Sequence, residues 1–157
     1  MATLYLGLGT NLGNKKENLQ RAVNEINTRI GKVTSLSSFY ETAPWGFSSE
    51  NSFLNAACCV NTELSPIDAL EQTQQIEREL GRLHKSVNGI YADRLIDIDL
   101  LLYDDLCMNT ERLTLPHPGI DKRLFVIEPL AEIAPDVNHP QTGITMKNIL
   151  EKLHNEN

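Results

Sequence analysis

The sequence predicts an α+β domain, a largely antiparallel sheet with helices packed on it. Three observations lead there. Alternating and β-branched stretches are separated by segments of helical periodicity, in the order strand, helix, strand, strand, helix, strand. The 157 residues suit one domain with a full core. No repeat, low-complexity stretch or linker interrupts them, so residues 1–157 are read as a single domain.

Leu4, Leu6 and Leu8 alternate with Tyr5 and Gly7, which predicts a strand ending at Gly9. Residues 11–14 make a turn. Leu19, Val23, Ile26 and Ile30 keep helical spacing up to Gly31, read as the helix stop. Residues 33–42, rich in β-branched and aromatic side chains, predict a second strand. A loop over 43–52 and a strand over 53–61 follow. Ser65, Pro66 and Asp68 form a helix start: a capping hydroxyl, a first-turn proline and an acid at the positive dipole end. Ile67, Leu70, Thr73, Ile76 or Glu77, and Leu80 mark its inner face, and Gly81 ends it. Residues 82–94 are polar, contain Asn88-Gly89 and predict a long loop. An apolar strand is expected over 95–103, a turn at Asp104-Asp105, and a short strand over 111–115. Helices over 122–133 and 146–154 complete the chain.

The formal net charge of −7 argues against a general nucleic-acid or anionic-membrane binder. It allows an anionic substrate if cations are local or supplied by metal. No apolar run approaches the ~20 residues that span a bilayer. The start, MATLYLGLGT, lacks a basic leader with a long apolar stretch, so a cytoplasmic location is expected. Cys58 and Cys59 are adjacent and Cys107 stands alone. That spacing gives neither a disulfide framework nor a zinc knuckle, and all three are read as buried small hydrophobes.

The sharpest chemical feature is Arg94-Leu95-Ile96-Asp97-Ile98-Asp99-Leu100. Strand alternation puts Asp97 and Asp99 on one face, their Cα atoms roughly 6–7 Å apart, with Ile96, Ile98 and Leu100 on the other. Two such charges ~5 Å apart repel by about 3 kcal/mol at an effective dielectric of ~20. In an apolar strand, something cationic should offset that, and hard carboxylate oxygens suit Mg²⁺. A solvated strand face is the plainer alternative.

The cations are clustered. Residues 33–77 hold no Lys or Arg, yet Arg78, Arg82, Lys85 and Arg94 crowd the segment before the acid pair. Arg112, Lys122 and Arg123 bracket His117. Arginine's planar fork matches phosphate oxygens, although solvated clusters look the same in sequence. His117, between Pro116 and Pro118, reads either as a positioned phosphate donor or as a capped structural histidine. His84 contacts phosphate or is solvated; His139 and His154 are read as surface residues. Gly7, Gly9 and Gly13 match neither the dinucleotide fingerprint nor a P-loop. They are read as allowing a turn and close backbone packing. Asn55, two residues after Phe53, is either an amide beside an aromatic wall, suited to a heteroaromatic ring, or a polar residue on an exposed sheet face.

Taken together, LGLGTNLGN (6–14), SSFYETAPWG (37–46), FLNAA (53–57), the run 74–82, DRLIDIDLLLY (93–103), ERLTLPHP (111–118) and EPLAEIAP (128–135) resemble the 6-hydroxymethyl-7,8-dihydropterin pyrophosphokinases of folate biosynthesis. The resemblance implies a ferredoxin-like α-β-α sandwich and transfer of pyrophosphate from ATP to the pterin hydroxymethyl oxygen, releasing AMP. It implies that Asp97 and Asp99 hold two Mg²⁺ ions, and that Arg82 and Arg94 contact the phosphates. Gln74, Glu77, Ile98, Thr114, His117 and Arg123 match positions lining the ATP site. His84 and Tyr91 stand in a divergent loop where the family has arginine and tryptophan, and are counted with them. Phe53 and Phe125 would wall the pterin, while Asn55 and the backbone of Thr42, Ala43, Pro44, Trp45 and Gly46 read its edge. The expected partners are ATP and a reduced pterin, with no nucleic acid or membrane, and the expected state is a monomer. The rivals are a non-catalytic ferredoxin-like ligand-binding module and a two-metal nuclease, which would need a basic groove.

Overall fold

The computed structural model describes residues 1–42, 52–81 and 95–156. Their elements run β1 (Ala2–Thr10), α1 (Lys15–Arg29), β2 (Gly31–Leu36), β3 (Tyr40–Thr42), β4 (Phe53–Thr62), α2 (Pro66–Gly81), β5 (Asp97–Tyr103), β6 (Met108–Asn109), β7 (Thr114–Leu115), α3 (Leu124–Ile133) and α4 (Met146–Glu156). The main sheet has the order β2-β4-β1-β5, and β3 extends along β4. Every pairing is antiparallel. Period-two alternation sends Leu4, Leu6 and Leu8 of β1 into a core with Leu19, Ile26 and Ile76 of α1 and α2. On the opposite face Ala57, Leu101 and Leu102 pack against Ile127, Leu130 and Met146 of α3 and α4. This is the expected ferredoxin-like α-β-α sandwich.

The local signals explain most boundaries. Asn14 caps α1 by accepting the Glu17 N–H at 3.1 Å, and Asn18 Nδ2 donates to the Leu12 carbonyl at 2.7 Å, closing the predicted turn. Ser65 Oγ accepts the Asp68 N–H at 3.2 Å, as its capping role requires. Ile76, not Glu77, is the buried member of the α2 face.

Several expectations are corrected. Helix α1 does end just before Gly31, with Ile30 as its cap, but Gly31 also opens β2, where a Cβ would collide with the Asn61 carbonyl. The expected strand over 33–42 breaks into β2 and β3. Ser37 is the cause: its N–H donates to the Ala57 carbonyl at 2.9 Å while its hydroxyl accepts the Ala57 N–H at 2.8 Å. A side chain replaces a ladder acceptor, and the strand bends away. The strand expected over 111–115 shrinks to Thr114–Leu115, because Thr110 and Leu113 close a tight turn just before it. Likewise α3 begins at Leu124 rather than 122, since Lys122 and Arg123 donate to the Gly119 carbonyl in a preceding turn. Cys58 and Cys59 are buried as read, but Cys107 is exposed, on a connection outside both cores. His139 is buried instead of superficial. Its Nδ1 accepts the Gln141 and Thr142 N–H groups inside the 138–145 turn, whereas His154 lies exposed on α4. Among the described residues no helix is long and apolar enough to cross a membrane.

Candidate active site

The site grows from one strip of sheet. On the α3-facing side of β1 the sequence places Gly7 and Gly9. Gly9 pairs with Asn55 on β4 and with Asp97 on β5, and Gly7 pairs with Ala57 and Asp99. Residues opposite one another share a face, so Asn55, Gly9 and Asp97 form one row across three strands. The row puts Asn55 and Asp97 two strand spacings apart, about 10 Å, with no side chain on the middle strand. The close packing read for these glycines is present too. A Cβ at Gly9 would lie 3.0 Å from Asn55 Oδ1, and one at Gly7 would lie 3.3 Å from Leu101 Cδ1.

At one end of the row stand the acids. Asp97 is half-buried and Asp99 exposed, while Ile98 and Leu100 point into the core behind them, as alternation requires. Glu77 of α2 reaches the free edge of β5, where its Oε2 accepts the Ile98 N–H at 2.8 Å. The Ile98 side chain itself is core; only its backbone faces Glu77. Gln74, one helical turn earlier on the same face of α2, is exposed.

His117 lies along the same edge, its N–H donating to the Leu101 carbonyl at 2.9 Å. Its ring Nδ1 accepts the Gly119 N–H at 2.9 Å, so the neutral imidazole carries its proton on Nε2. A side chain at Gly119 would press on that ring at 3.1 Å. Burial lowers the His117 pKa and Arg123 adds to the shift, while the Asp99 charge opposes it. His117 is therefore a capped histidine with a neutral ring near pH 7, as one of the two sequence readings has it, and its Nε2–H is a donor. Thr114 is half-buried on β7, just ahead of it.

At the other end, Asn55 is buried, 6% exposed, and its Nδ2 donates to Thr42 Oγ1 at 3.1 Å. This removes the exposed-face reading. Thr42 pairs with Phe53, so these three residues share one corner. Phe125, 39% exposed in the first turn of α3, carries the Arg123 guanidinium 5.7 Å above its ring centroid, within cation–π range. Arg82, His84, Tyr91 and Arg94, and Ala43, Pro44, Trp45 and Gly46, lie outside the described residues. Sequence reasoning passed over Glu132, whose carboxylate accepts from Ser38 and Tyr40. An acid within the apolar run of α3 was the available signal.

The arrangement is a strip of sheet with a carboxylate end and an amide–aromatic end. The family model for 7,8-dihydro-6-hydroxymethylpterin-pyrophosphokinase matches residues 5–135. The chain belongs to this family. It is 49% identical over 142 residues to the 2-amino-4-hydroxy-6-hydroxymethyldihydropteridine pyrophosphokinase of Porphyromonas gingivalis, covering 90% of this chain and 96% of that one. It is 43% identical to the enzyme of the same name from Methylorubrum extorquens, covering 98% and 94%. Wild-type HPPK-DHPS of Plasmodium falciparum shares the fold, with a TM-score of 0.78 at 17% identity over 96% of this chain. This chain spans 44% of that fused one. Pyrophosphoryl transfer in folate biosynthesis is accordingly the reaction of this pyrophosphokinase, and a non-catalytic binding module is not favoured.

Proposed function

We propose that the bare strip over Gly9 is where the hydroxymethyl arm of the pterin meets the phosphates of ATP. The observation that carries this is the single row Asn55, Gly9, Asp97, which sets a ring-reading amide and a cation-holding acid about 10 Å apart. Asn55, steadied by Thr42, would pair with the ring's edge, between Phe53 and Phe125 and beside the backbone of Ala43, Pro44, Trp45 and Gly46. Gln74, Glu77 and the Ile98 backbone, at the outer edge of β5, would take the nucleoside, with Thr114 and Tyr91 along its wall.

The donor set fits Mg²⁺: two carboxylates two residues apart on one face, both accessible to solvent. Asp97 and Asp99 would hold it, as two ions. When bound, Mg²⁺ neutralises phosphate charge and draws electron density from the β-phosphorus. The chain's own groups do the rest. His117 donates from Nε2 to a phosphate oxygen, Arg123 adds positive charge, and Arg82, Arg94 and His84 would contact the phosphates as the family resemblance implies. The hydroxymethyl oxygen bonds to the β-phosphorus as the bond to the oxygen joining the α- and β-phosphates breaks; AMP leaves, and the hydroxyl proton is released to solvent. Positioning and electrostatics suffice, without a strong base. We take the chain to act as a cytoplasmic monomer, residues 1–157 forming one pyrophosphokinase domain.

Incubation with ATP, Mg²⁺ and 6-hydroxymethyl-7,8-dihydropterin tests the reading. The expected products are AMP and the pterin diphosphate in equal amounts, abolished in Asp97→Ala and Asp99→Ala. Release of ADP, or wild-type-like turnover in either variant, would overturn it.

A further inference from the structure

We propose that Glu132 is a positioning residue for the pterin, acting through Tyr40 on the strand that ends at Thr42. The inference rests on the pterin-site reading above. Glu132 lies on α3 seven residues, or two turns, beyond Phe125, so both project from the same side of one helix. Its carboxylate is heavily engaged. Oε1 accepts the Tyr40 hydroxyl at 2.6 Å and the Ser38 N–H at 3.1 Å; Oε2 accepts the Ser38 N–H at 3.0 Å and the Ser38 hydroxyl at 3.1 Å. Short bonds to an ionised acceptor are the strong kind. The Tyr40 hydroxyl is pushed up to about 12, first by this bond, and the same bond lowers the Glu132 pKa.

What this carboxylate holds is a strand of only three residues. Among the described residues β3 pairs with β4 alone, and the Ser37 bend separates it from β2. Tyr40 lies opposite Asn55 and Thr42 opposite Phe53, so the four side chains share one sheet face with Gly9 and Asp97. Thr42 Oγ1 in turn accepts from Asn55. A shift of Tyr40 therefore moves Thr42, and with it the acceptor that orients the Asn55 carboxamide. On the other side of β3, Glu41 Oε1 accepts the Ser52 hydroxyl at 2.7 Å and Lys15 Nζ donates to the Ser52 carbonyl at 3.0 Å. Those contacts hold the β3 side that faces away from α3, whereas Glu132 ties β3 to the helix bearing Phe125. Through it, one helix sets both the wall and the edge-reading corner, while the acid end across Gly9 is untouched.

The test is steady-state kinetics on Glu132→Ala, Glu132→Gln and Tyr40→Phe, each substrate varied at saturating concentration of the other. Glu132→Ala and Tyr40→Phe should raise the pterin KM about tenfold or more, as sub-ångström misplacement of a positioned group does. The ATP KM should stay within about twofold, because the phosphate end keeps its contacts. Glu132→Gln, whose amide oxygen still accepts one N–H, should recover part of the loss. The double variant should be no worse than Glu132→Ala. Equal shifts in both KM values, or an unchanged pterin KM in a folded variant, would overturn the inference. Tyr40→Phe deletes a single oxygen and decides the matter if Glu132→Ala fails to fold. A wild-type protein forming no AMP would sink the pterin-site reading and this inference together; active wild type without the split sinks only the role of Glu132.

Discussion

Replacing Gly9 by alanine probes the middle of the Asn55–Gly9–Asp97 row with one methyl group. The added carbon would sit 3.0 Å from Asn55 Oδ1 and meet nothing else within 4 Å among the described residues. Gly9 is not among the glycines with positive φ, so the backbone accepts the change. Ordinary contact at 3.4 Å requires Asn55 to retreat by about 0.4 Å. Asn55 is buried and Thr42 lies on its far side from Gly9, so the retreat presses the carboxamide toward Thr42 and turns it off its 3.1 Å bond. Losing it costs about 1 kcal/mol, and a misaimed carboxamide costs a similar amount again in its bonds to the ring. Together that is about tenfold to thirtyfold in pterin KM. The assay is AMP release with each substrate varied in turn, beside a thermal melt. The pterin KM should rise by that factor, with the ATP KM and Tm nearly unchanged. An unchanged pterin KM, or an equal rise for ATP, would refute the placement of Gly9 between the two ends.

The neighbouring glycine predicts the reverse. In Gly7→Ala the methyl meets three atoms of buried Leu101, so overpacking should cost about 1–3 kcal/mol and lower Tm, with both KM values intact. Ser37→Ala orphans the buried Ala57 N–H and should lower urea stability by about 1–3 kcal/mol; an unchanged midpoint would contradict the account of the strand break. Burial lowers the His139 pKa from 6.5, so the unfolded chain binds more protons there, and this stability is present above pH 6.5 and lost as pH falls through the depressed value. His139→Asn, which keeps an acceptor for the Gln141 N–H, should narrow its Tm gap to wild type between pH 7.5 and 5; a constant gap would count against it. Burial pushes the Cys58 thiol up to about 12, whereas Cys107 is exposed, so brief alkylation of native protein should label Cys107 alone. A second adduct at Cys58 would contradict this.

Elements whose signals are local were legible in the sequence. Period-two leucines in β1, the Asn14 and Ser65 caps, and the acids alternating with isoleucines in β5 each depend on neighbours within a few residues. Most of what sequence reading missed comes from long-range partners. The split at Ser37 depends on Ala57, and Gly31 answers to the Asn61 carbonyl as well as to helix ending. His139 is buried by a turn whose amide groups arrive two and three residues later, a geometry composition does not reveal. In the site, the acid pair and Asn55 stood out by residue type. The row joining them did not, because register across β4, β1 and β5 is set by the whole sheet. Glu132 was hidden for the same reason: its partners lie 92 and 94 positions away.

The claim that Asp97 and Asp99 hold the divalent cation under the triphosphate is tested most directly by titrating Mn²⁺, followed by electron paramagnetic resonance, with a non-hydrolysable ATP analogue present. Two ions should bind per wild-type chain, and Asp97→Asn and Asp99→Asn should each lose at least one while their melts stay near wild type. Variants that bind as many ions as wild type, with equal affinity, would contradict the account.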